Sequence, residues 1–413
     1  MLRAPARTRR APWRAVVALA AVATIVLTAC DPPFPSEDGF YQPPSPLPSG
    51  RPGDVISSRV SRFTLDPFAK APVAGVTSRQ VLYRSTDALG QPMAVSGTVL
   101  VPDAPWTGTG SRPLVSYAVG TRGVGDDCAP SYTLSQGADY EGSFVKALLD
   151  QGWAVAVSDY QGLGTPGLHT YMVGPSQGHA VLDMARAAQR LAGTGLSAAT
   201  PVGLMGYSQG GGGAGWAAEL AGSYAPELQV KGSAIGGVPG DLNATAQFLD
   251  GSAFVAFALM AALGLDAAYP ELDLESYLNP RGQELVAASQ DLCLVSVDGF
   301  GTLIDVAFTH IDDYVTTNPL DTPAWQARLD QNLLGRVRPS APVFQYHALV
   351  DEIVPLGQAA ALRRTWCNRG ANVTWTTLPG EHALGLVEGQ APAVSFMSAR
   401  FAGTPVFGNC LFP

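Results

Sequence analysis

Short apolar runs recur along most of the chain, separated by polar or helix-forming stretches. Such runs, rich in β-branched residues, are typical of buried strands. We predict strands at residues 81–84, 93–101, 114–119, 154–158, 202–205, 231–235, 343–348 and 373–377. Helical patterns lie at residues 178–191, 355–369 and 392–401. Because the later strands alternate with helices, the pattern predicts an α/β fold: a mostly parallel central sheet with helices on both faces.

The alternation of strands and helices stops between residues 241 and 339. This stretch has helix-like segments but no clear strand, so we predict a helical cap inserted into a domain formed by residues 54–240 and 340–413. Residues 254–263 are apolar on all sides, which is typical of a buried helix. The same segment suits a lid over a functional site, since a lid buries its apolar face when it is closed.

Residues 1–29 have the organisation of an export signal. Five arginines precede an uncharged apolar run, residues 15–29, which is short for a helix that spans a bilayer. The run ends in Leu27-Thr28-Ala29-Cys30, which resembles the bacterial lipobox, where the cysteine is lipidated. The alternative is a plain signal peptide with an incidental Cys30, although ordinary cleavage prefers a small residue at Leu27. We predict an exported protein, either a lipoprotein anchored to the membrane or a secreted one.

Residues 30–53 contain eight prolines, which favours a stiff extended tether. Because Phe40 and Tyr41 lie within this segment, an arm wrapped on the domain is the alternative. Removal of the signal takes away five arginines and no acidic residue, so the net charge changes from −9 to −14. An acidic surface argues against nucleic acid as a partner and against a basic patch for anionic membranes. We expect a monomer.

Gly206-Tyr207-Ser208-Gln209-Gly210 has the pattern G-x-S-x-G between a predicted strand and a run of small residues. Glycine is frequent here, 46 of 413 residues, so the pentapeptide alone is weak evidence. The strand, sharp turn and helix around it are the context of a nucleophile elbow, whose strained turn needs neighbours without side chains. The pattern therefore predicts Ser208 as a catalytic nucleophile.

A serine nucleophile needs a histidine base and an acid that orients it. Of the five histidines, His382 follows the last predicted strand in the loop at 379–383, whereas His347 lies within a strand and is expected in the core. His169 lies beside a glycine-rich turn and could line a cleft. Asp351 follows the strand at 343–348; Glu352 is the alternate acid. The order Ser208, Asp351, His382 predicts a triad that needs no metal or cofactor.

An oxyanion formed on the substrate needs backbone donors. We predict the N–H of Gln209 as one donor and the loop at residues 120–126, through the N–H of Arg122, as the other. The alternative for this loop is a glycine-rich turn without a chemical role.

The motifs resemble those of the secretory lipase family typified by Candida antarctica lipase A, over nearly all the chain from about residue 39. They include Phe40–Ser45, Cys128–Tyr132, Gly206–Gly210, Ser223–Leu228, Asp351–Pro355, Cys367–Asn372 and Glu381-His382. The resemblance implies the α/β-hydrolase fold, the same triad, a helical cap, lipid-ester hydrolysis, and the disulfides Cys128–Cys293 and Cys367–Cys410. Departures are Gln209 in place of glycine and Arg122 in place of an acidic residue; the lipobox and the tether are not part of the family's pattern.

We therefore expect an exported serine ester hydrolase, a lipase or carboxylesterase acting on acylglycerols or similar esters. An acyltransferase would use the same triad and pass the acyl group to an alcohol other than water. A surface binding protein on a hydrolase scaffold is the alternative without catalysis, and an intact triad argues against it.

Overall fold

A nine-stranded sheet forms the centre of the computed structural model, which describes residues 32–411. The spatial order is β1-β2-β3-β5-β4-β6-β7-β8-β9. The strands are β1 (Val55–Ser61), β2 (Val76–Thr86), β3 (Pro92–Pro102), β4 (Leu114–Ala118), β5 (Ala154–Ser158), β6 (Pro201–Tyr207), β7 (Gln229–Gly236), β8 (Val343–Ala348) and β9 (Val373–Leu378). The pairs β1–β2, β2–β3 and β3–β5 are antiparallel, and all the others are parallel. The predicted α/β class is confirmed.

Helices cover both faces of this sheet, and others form an insertion between two of its strands. The helices are α1 (Pro130–Gln136), α2 (Gly142–Asp150), α3 (Gly174–Arg190), α4 (Gln209–Tyr224), α5 (Leu242–Leu249), α6 (Ala256–Ala268), α7 (Pro280–Ser289), α8 (Val297–Val306), α9 (Pro323–Gln331), α10 (Leu356–Asn368) and α11 (His382–Phe401). Helices α3, α4 and α10 share one face, and α2 and α11 share the other. No helix within residues 32–411 is both long and apolar enough to cross a membrane.

Helices α5 to α9 all lie between β7 and β8, in the stretch where the sequence predicts a helical insertion. We call residues 241–339 the cap. The disulfide Cys128–Cys293 joins the cap to the segment before α1, and Cys367–Cys410 joins the end of α10 to the C-terminal tail. Both pairings are those that the family resemblance implies.

The prediction of an extended tether is wrong for residues 34–53. Tyr41 is fully buried against Cys128, Ala129 and Leu163, and its hydroxyl lies 2.9 Å from Ser131 Oγ. Arg59 forms an ion pair with Asp38 at 2.6 Å. Burial of the aromatic side chain fixes this segment as an arm on the catalytic domain, the alternative that the sequence left open. The predicted export signal and Cys30 lie outside the described residues.

The start of the last helix also differs from prediction. Helix α11 begins at His382 rather than at Pro392, which lies inside the helix, and the predicted loop at 379–383 therefore ends one residue before His382. The carboxylate of Glu381 caps the helix by accepting hydrogen bonds from the N–H groups of Ala383 (2.8 Å) and Leu384 (2.9 Å). These two hydrogen bonds fix the start of α11 and therefore the position of His382.

Candidate active site

Ser208 occupies the sharp turn between β6 and α4. Its backbone has φ 57° and ψ −123°, a strained conformation for a residue with a side chain. A Cβ atom at Gly210 would lie 2.0 Å from the carbonyl oxygen of Ala118, and one at Gly206 would lie 2.3 Å from that of Gly210. Only glycine fits at these two positions, which is the physical basis of the G-x-S-x-G pattern.

The three residues predicted as a triad lie within hydrogen-bond distance of one another. Ser208 Oγ is 2.9 Å from His382 Nε2, and His382 Nδ1 is 2.8 Å from Asp351 Oδ2. His382 and Asp351 are each only 7 % exposed. The arrangement suits a serine whose proton is removed by the imidazole, and an imidazole whose tautomer is held by the carboxylate.

The loop after β8 holds the acid in its ionised form. The backbone N–H groups of Ile353 and Val354 donate to Asp351 Oδ1 at 3.0 and 2.7 Å. Burial raises the pKa of Asp351, but the hydrogen bond and charge of His382 and the bond from Val354 outweigh it, so its pKa is lowered overall. The alternate acid, Glu352, instead accepts a hydrogen bond from the backbone N–H of His382 at 3.1 Å. It therefore supports the backbone beside the imidazole.

His347, which the sequence assigns to the core, is fully buried but also touches the acid. Its Nε2 lies 2.9 Å from the carbonyl oxygen of Val354 and 3.4 Å from Asp351 Oδ2. Burial lowers the pKa of this imidazole, which favours its neutral form. The sequence feature that indicates this contact is that Asp351 follows His347 by four residues, just after the end of β8.

The side chain of Arg122 is buried in an acidic cluster, which we call the Arg122 cluster: Arg122, Asp139, Tyr140 and Glu141. The guanidinium donates to both carboxylate oxygens of Asp139, at 2.9 and 3.1 Å, and lies 3.4 Å from Glu141. It also stacks on the ring of Tyr140 at 3.9 Å. Burial disfavours its charge, but the carboxylates raise its pKa well above the ordinary value. The guanidinium is therefore a structural cation, which leaves only its backbone for an oxyanion.

The Arg122 cluster fixes the loop that the sequence assigns to the oxyanion hole. Glu141 accepts a hydrogen bond from the N–H of Gly120 at 3.1 Å, and the Tyr140 hydroxyl donates to the carbonyl of Thr121 at 2.9 Å. Across the turn, Gln209 is the first residue of α4, so its N–H has no acceptor within the helix. These contacts argue against a plain turn, and the two backbone donors, Gln209 and Arg122, remain a prediction.

The side chain of Gln209 is held by a buried histidine. Its amide nitrogen lies 2.9 Å from His169 Nε2, while His169 Nδ1 lies 2.7 Å from the carbonyl oxygen of Gln161. The carbonyl requires a proton on Nδ1, so Nε2 accepts from the amide and the ring is neutral. Burial lowers the pKa of His169 to about 4. His169 is 1 % exposed, so it supports Gln209 from behind and does not line a cleft.

We expect the stability of the protein to depend on pH through His169. The unfolded chain binds a proton on this residue below about pH 6.5, whereas the folded protein binds it only near pH 4, so stability falls as the pH falls through this window. The shift corresponds to roughly 3 kcal/mol in the free energy of unfolding. Urea unfolding from pH 4 to 7 should show a smaller loss for His169→Gln than for the wild type.

The comparison with the variant isolates this histidine from other groups. Burial raises the pKa of Asp126, Asp159 and Asp183 to about 6, and these residues oppose the trend because they favour the folded state as the pH falls. Their contribution is common to both proteins. Identical pH dependence in the wild type and the variant would contradict the assignment of a neutral His169.

An apolar pocket of about 40 Å³ lies beside Ser208. Its walls include Tyr171 and Met172 from the catalytic domain and Leu249, Phe257 and Ala261 from α5 and α6. A second apolar cavity, of about 110 Å³, lies within the cap, between side chains of α6, α7 and α8 and residues 123–124. The predicted apolar segment at 254–263 thus contributes to the walls of both spaces.

Comparison with known proteins agrees with the resemblance seen in the sequence. Residues 129–409 match the family described as secretory lipase. A probable inactive lipase of Mycobacterium tuberculosis is 33% identical over 91% of this chain and 84% of its own. Lipase A of Arthroderma benhamiae is 31% identical over 94% and 85%. The crystal structure of Candida antarctica lipase A in its closed state has a TM-score of 0.81 at 29% identity, covering 93% of this chain and 90% of its own. The chain belongs to the secretory lipase family.

Proposed function

We propose that this protein is an exported serine ester hydrolase, a lipase or carboxylesterase that cleaves acylglycerols or similar lipid esters. The observation that carries the proposal is the hydrogen-bonded series from Ser208 Oγ through His382 to Asp351, at 2.9 and 2.8 Å, beside an apolar pocket. Relatives in Malassezia globosa described as secreted triacylglycerol lipases support this substrate class.

The proposed reaction has two halves that use the same residues. His382 takes the proton from Ser208 as Oγ attacks the ester carbonyl carbon, and the N–H groups of Gln209 and Arg122 stabilise the oxyanion. His382 then protonates the departing alcohol, which leaves an acyl group on Ser208. In the second half, His382 takes a proton from a water molecule that attacks the acyl carbon, and it returns this proton to Ser208 Oγ as the acid leaves, while Asp351 holds the imidazole throughout.

The character of the neighbouring walls supports an acyl chain as the group that binds. Within residues 32–411, neither the pocket beside Ser208 nor the cavity in the cap is lined by a charged side chain. An apolar wall stabilises a hydrocarbon chain in proportion to the area removed from water, by roughly 25 cal/mol per Å². A charged acyl group would lose its hydration there without a partner.

We expect the mature enzyme to hydrolyse p-nitrophenyl esters, with the highest kcat/KM on long acyl chains. Long chains can fill the apolar space next to the serine, whereas short chains leave it to water. A series of esters from acetate to palmitate, assayed as dispersed substrate, measures this preference. A maximum on short chains would make the enzyme a carboxylesterase, and the absence of hydrolysis on every ester would contradict the proposal.

The two rival functions differ in observable products. An acyltransferase would form the ester of an added alcohol in preference to the free acid, which product analysis detects. A binding protein would not react with a fluorophosphonate at Ser208. The relative in M. tuberculosis described as probably inactive gives this second rival weight, and the complete hydrogen-bonded triad in this chain speaks against it.

The location of the protein has two parts, export from the cell and attachment to a membrane. A family of secretory lipases supports export. The finer proposal, a membrane anchor through lipidated Cys30, rests on the sequence motif. Incorporation of labelled fatty acid into the wild type but not into Cys30→Ser would test it.

A further inference from the structure

Helix α8 in the cap is apolar on two sides. Its inner side, which includes Leu303 and Val306, lines the cap cavity. On its outer side Val297, Phe300 and Ile304 are 89%, 62% and 60% exposed. Their spacing of three and four residues puts them on one face of the helix. The apolar face of an amphipathic helix is normally covered by other atoms, so the exposed outer side of α8 is suited to a partner.

Two more exposed apolar residues flank the helix along the chain. Val295, just before α8, is 67% exposed, and Phe308, just after it, is 73% exposed. We call these two residues together with Val297, Phe300 and Ile304 the α8 face. A group of exposed apolar side chains of this kind is typical of sites of contact with proteins, membranes or ligands.

The charge around the α8 face selects among those partners. Residues 282–327, which include α8, the part of α7 after Arg281 and the turns that follow, contain no lysine or arginine and seven aspartate or glutamate residues. The guanidinium of Arg281, in the first turn of α7, lies 4.6 Å from the ring of Tyr314. An anionic surface would be repelled by these carboxylates, and a phosphate-rich one would find no cation to bind within residues 282–327. An uncharged apolar surface is compatible both with the apolar side chains of the α8 face and with the acidic residues around it.

The α8 face is also connected to the active-site loop through the backbone. The segment just before α8 pairs with the loop 122–124: Val124 N–H donates to the carbonyl of Leu292 at 3.0 Å, and Leu294 N–H donates to that of Arg122 at 2.8 Å. The disulfide Cys128–Cys293 holds the same segment covalently. A surface that binds at the α8 face would therefore contact a segment that is joined directly to the loop with the predicted oxyanion donor.

We propose that the α8 face docks the enzyme on an uncharged lipid–water interface, such as the surface of an acylglycerol droplet. The inference rests on the proposed function, because it assigns to the cap the contact with the aggregated form of that substrate. The inner side of the same helix lines the cap cavity, so docking would bring the lipid phase next to an apolar space within the enzyme.

The test uses a triple variant, Val297→Gln, Phe300→Gln and Ile304→Gln, which removes the apolar side chains without adding charge. Glutamine is a good helix former, so α8 should persist. The matched control is Val60→Gln, Phe68→Gln and Phe407→Gln, three side chains outside the cap that are 79%, 95% and 91% exposed. Flotation with triolein emulsion droplets measures docking, and the turnover of emulsified triolein and of dissolved p-nitrophenyl butyrate measures catalysis.

We expect the α8 variant to lose roughly tenfold or more in binding to triolein and in its hydrolysis, because the burial of three apolar side chains is lost. Its turnover of dissolved butyrate should stay within about twofold of the wild type, which also shows that it is folded. The control should match the wild type in all three measurements. Equal binding of the α8 variant and the wild type to droplets would overturn the proposal.

Two other results would assign the α8 face to a different partner and also overturn the proposal. One is tighter binding of the wild type to phosphatidylglycerol vesicles than to triolein. The other is a wild-type dimer that dissociates in the α8 variant while droplet binding is unchanged. Failure of the proposed function is seen separately, as wild-type protein that hydrolyses neither ester, since flotation reports docking without catalysis.

Discussion

Replacing Ser208 by alanine should reduce kcat/KM for ester hydrolysis by about 10⁵-fold or more, to the level left by binding and the oxyanion donors. The change removes a single oxygen atom, whose hydrogen-bond partner in the structure is His382 at 2.9 Å. Alanine has the same Cβ as serine, so the strained turn at φ 57° gains no new contact. Steady-state hydrolysis of a p-nitrophenyl ester measures the loss.

A second serine provides the matched control. Ser233 in β7 is fully buried on the strand next to β6, and its hydroxyl has no hydrogen-bond partner in the part of the chain that the structure describes. Ser233→Ala should therefore keep wild-type activity and wild-type labelling by a fluorophosphonate, whereas Ser208→Ala should lose both. Hydrolysis by Ser208→Ala within tenfold of the wild type would remove this residue from the mechanism.

The parallel centre of the fold could be predicted because its strands are buried on both faces. Strands such as Leu114–Ala118 and Ala154–Ser158 consist mainly of apolar residues, and every residue in them is buried. Strand β1, Val55–Ser61, was not predicted because it is an edge strand with three serines and an arginine among seven residues. An alternation that weak cannot be distinguished from a loop.

Other differences arise where a local signal competes with tertiary contacts. Proline content favours an extended tether at 30–53, yet Tyr41 is buried because its aromatic ring fills a space on the catalytic domain. Pro392 is typical of a helix start, but α11 begins ten residues earlier. There the side chain of Glu381 accepts hydrogen bonds from the first N–H groups of the helix. Glutamate is not among the residues usually preferred just before the first turn of a helix, so this start could not be read from the residue type.

The candidate triad could be predicted because each member follows a recognisable strand and the order along the chain is restrictive. The groups that support it could not. His169 meets Gln209 across 40 positions in the chain, and the pairing of residues 122–124 with 292–294 spans about 170. These contacts depend on how loops from separate elements meet at one end of the sheet, for which no local pattern exists.

Arg122→Leu should both destabilise the protein and slow catalysis. Removing the guanidinium leaves Asp139 and Glu141 buried without their cation, which costs roughly 3–5 kcal/mol of the free energy of unfolding. The loop at Gly120–Arg122 would also lose the contacts that fix its backbone. Displacing one oxyanion donor lowers kcat by about 10²–10³-fold. Unfolding in urea and steady-state kinetics measure the two effects.

Two further variants separate positioning of the loop from stability alone. Arg122→Lys keeps the charge but cannot donate to both oxygens of Asp139, so we expect an intermediate loss in each measurement. Arg122→Leu combined with Asp139→Asn and Glu141→Gln removes the buried charges, so stability should largely return. Because Gly120 N–H then loses its charged acceptor, kcat should stay low while KM for a short ester changes little. If kcat returns together with stability, the Arg122 cluster stabilises the fold and has no role in positioning the oxyanion loop.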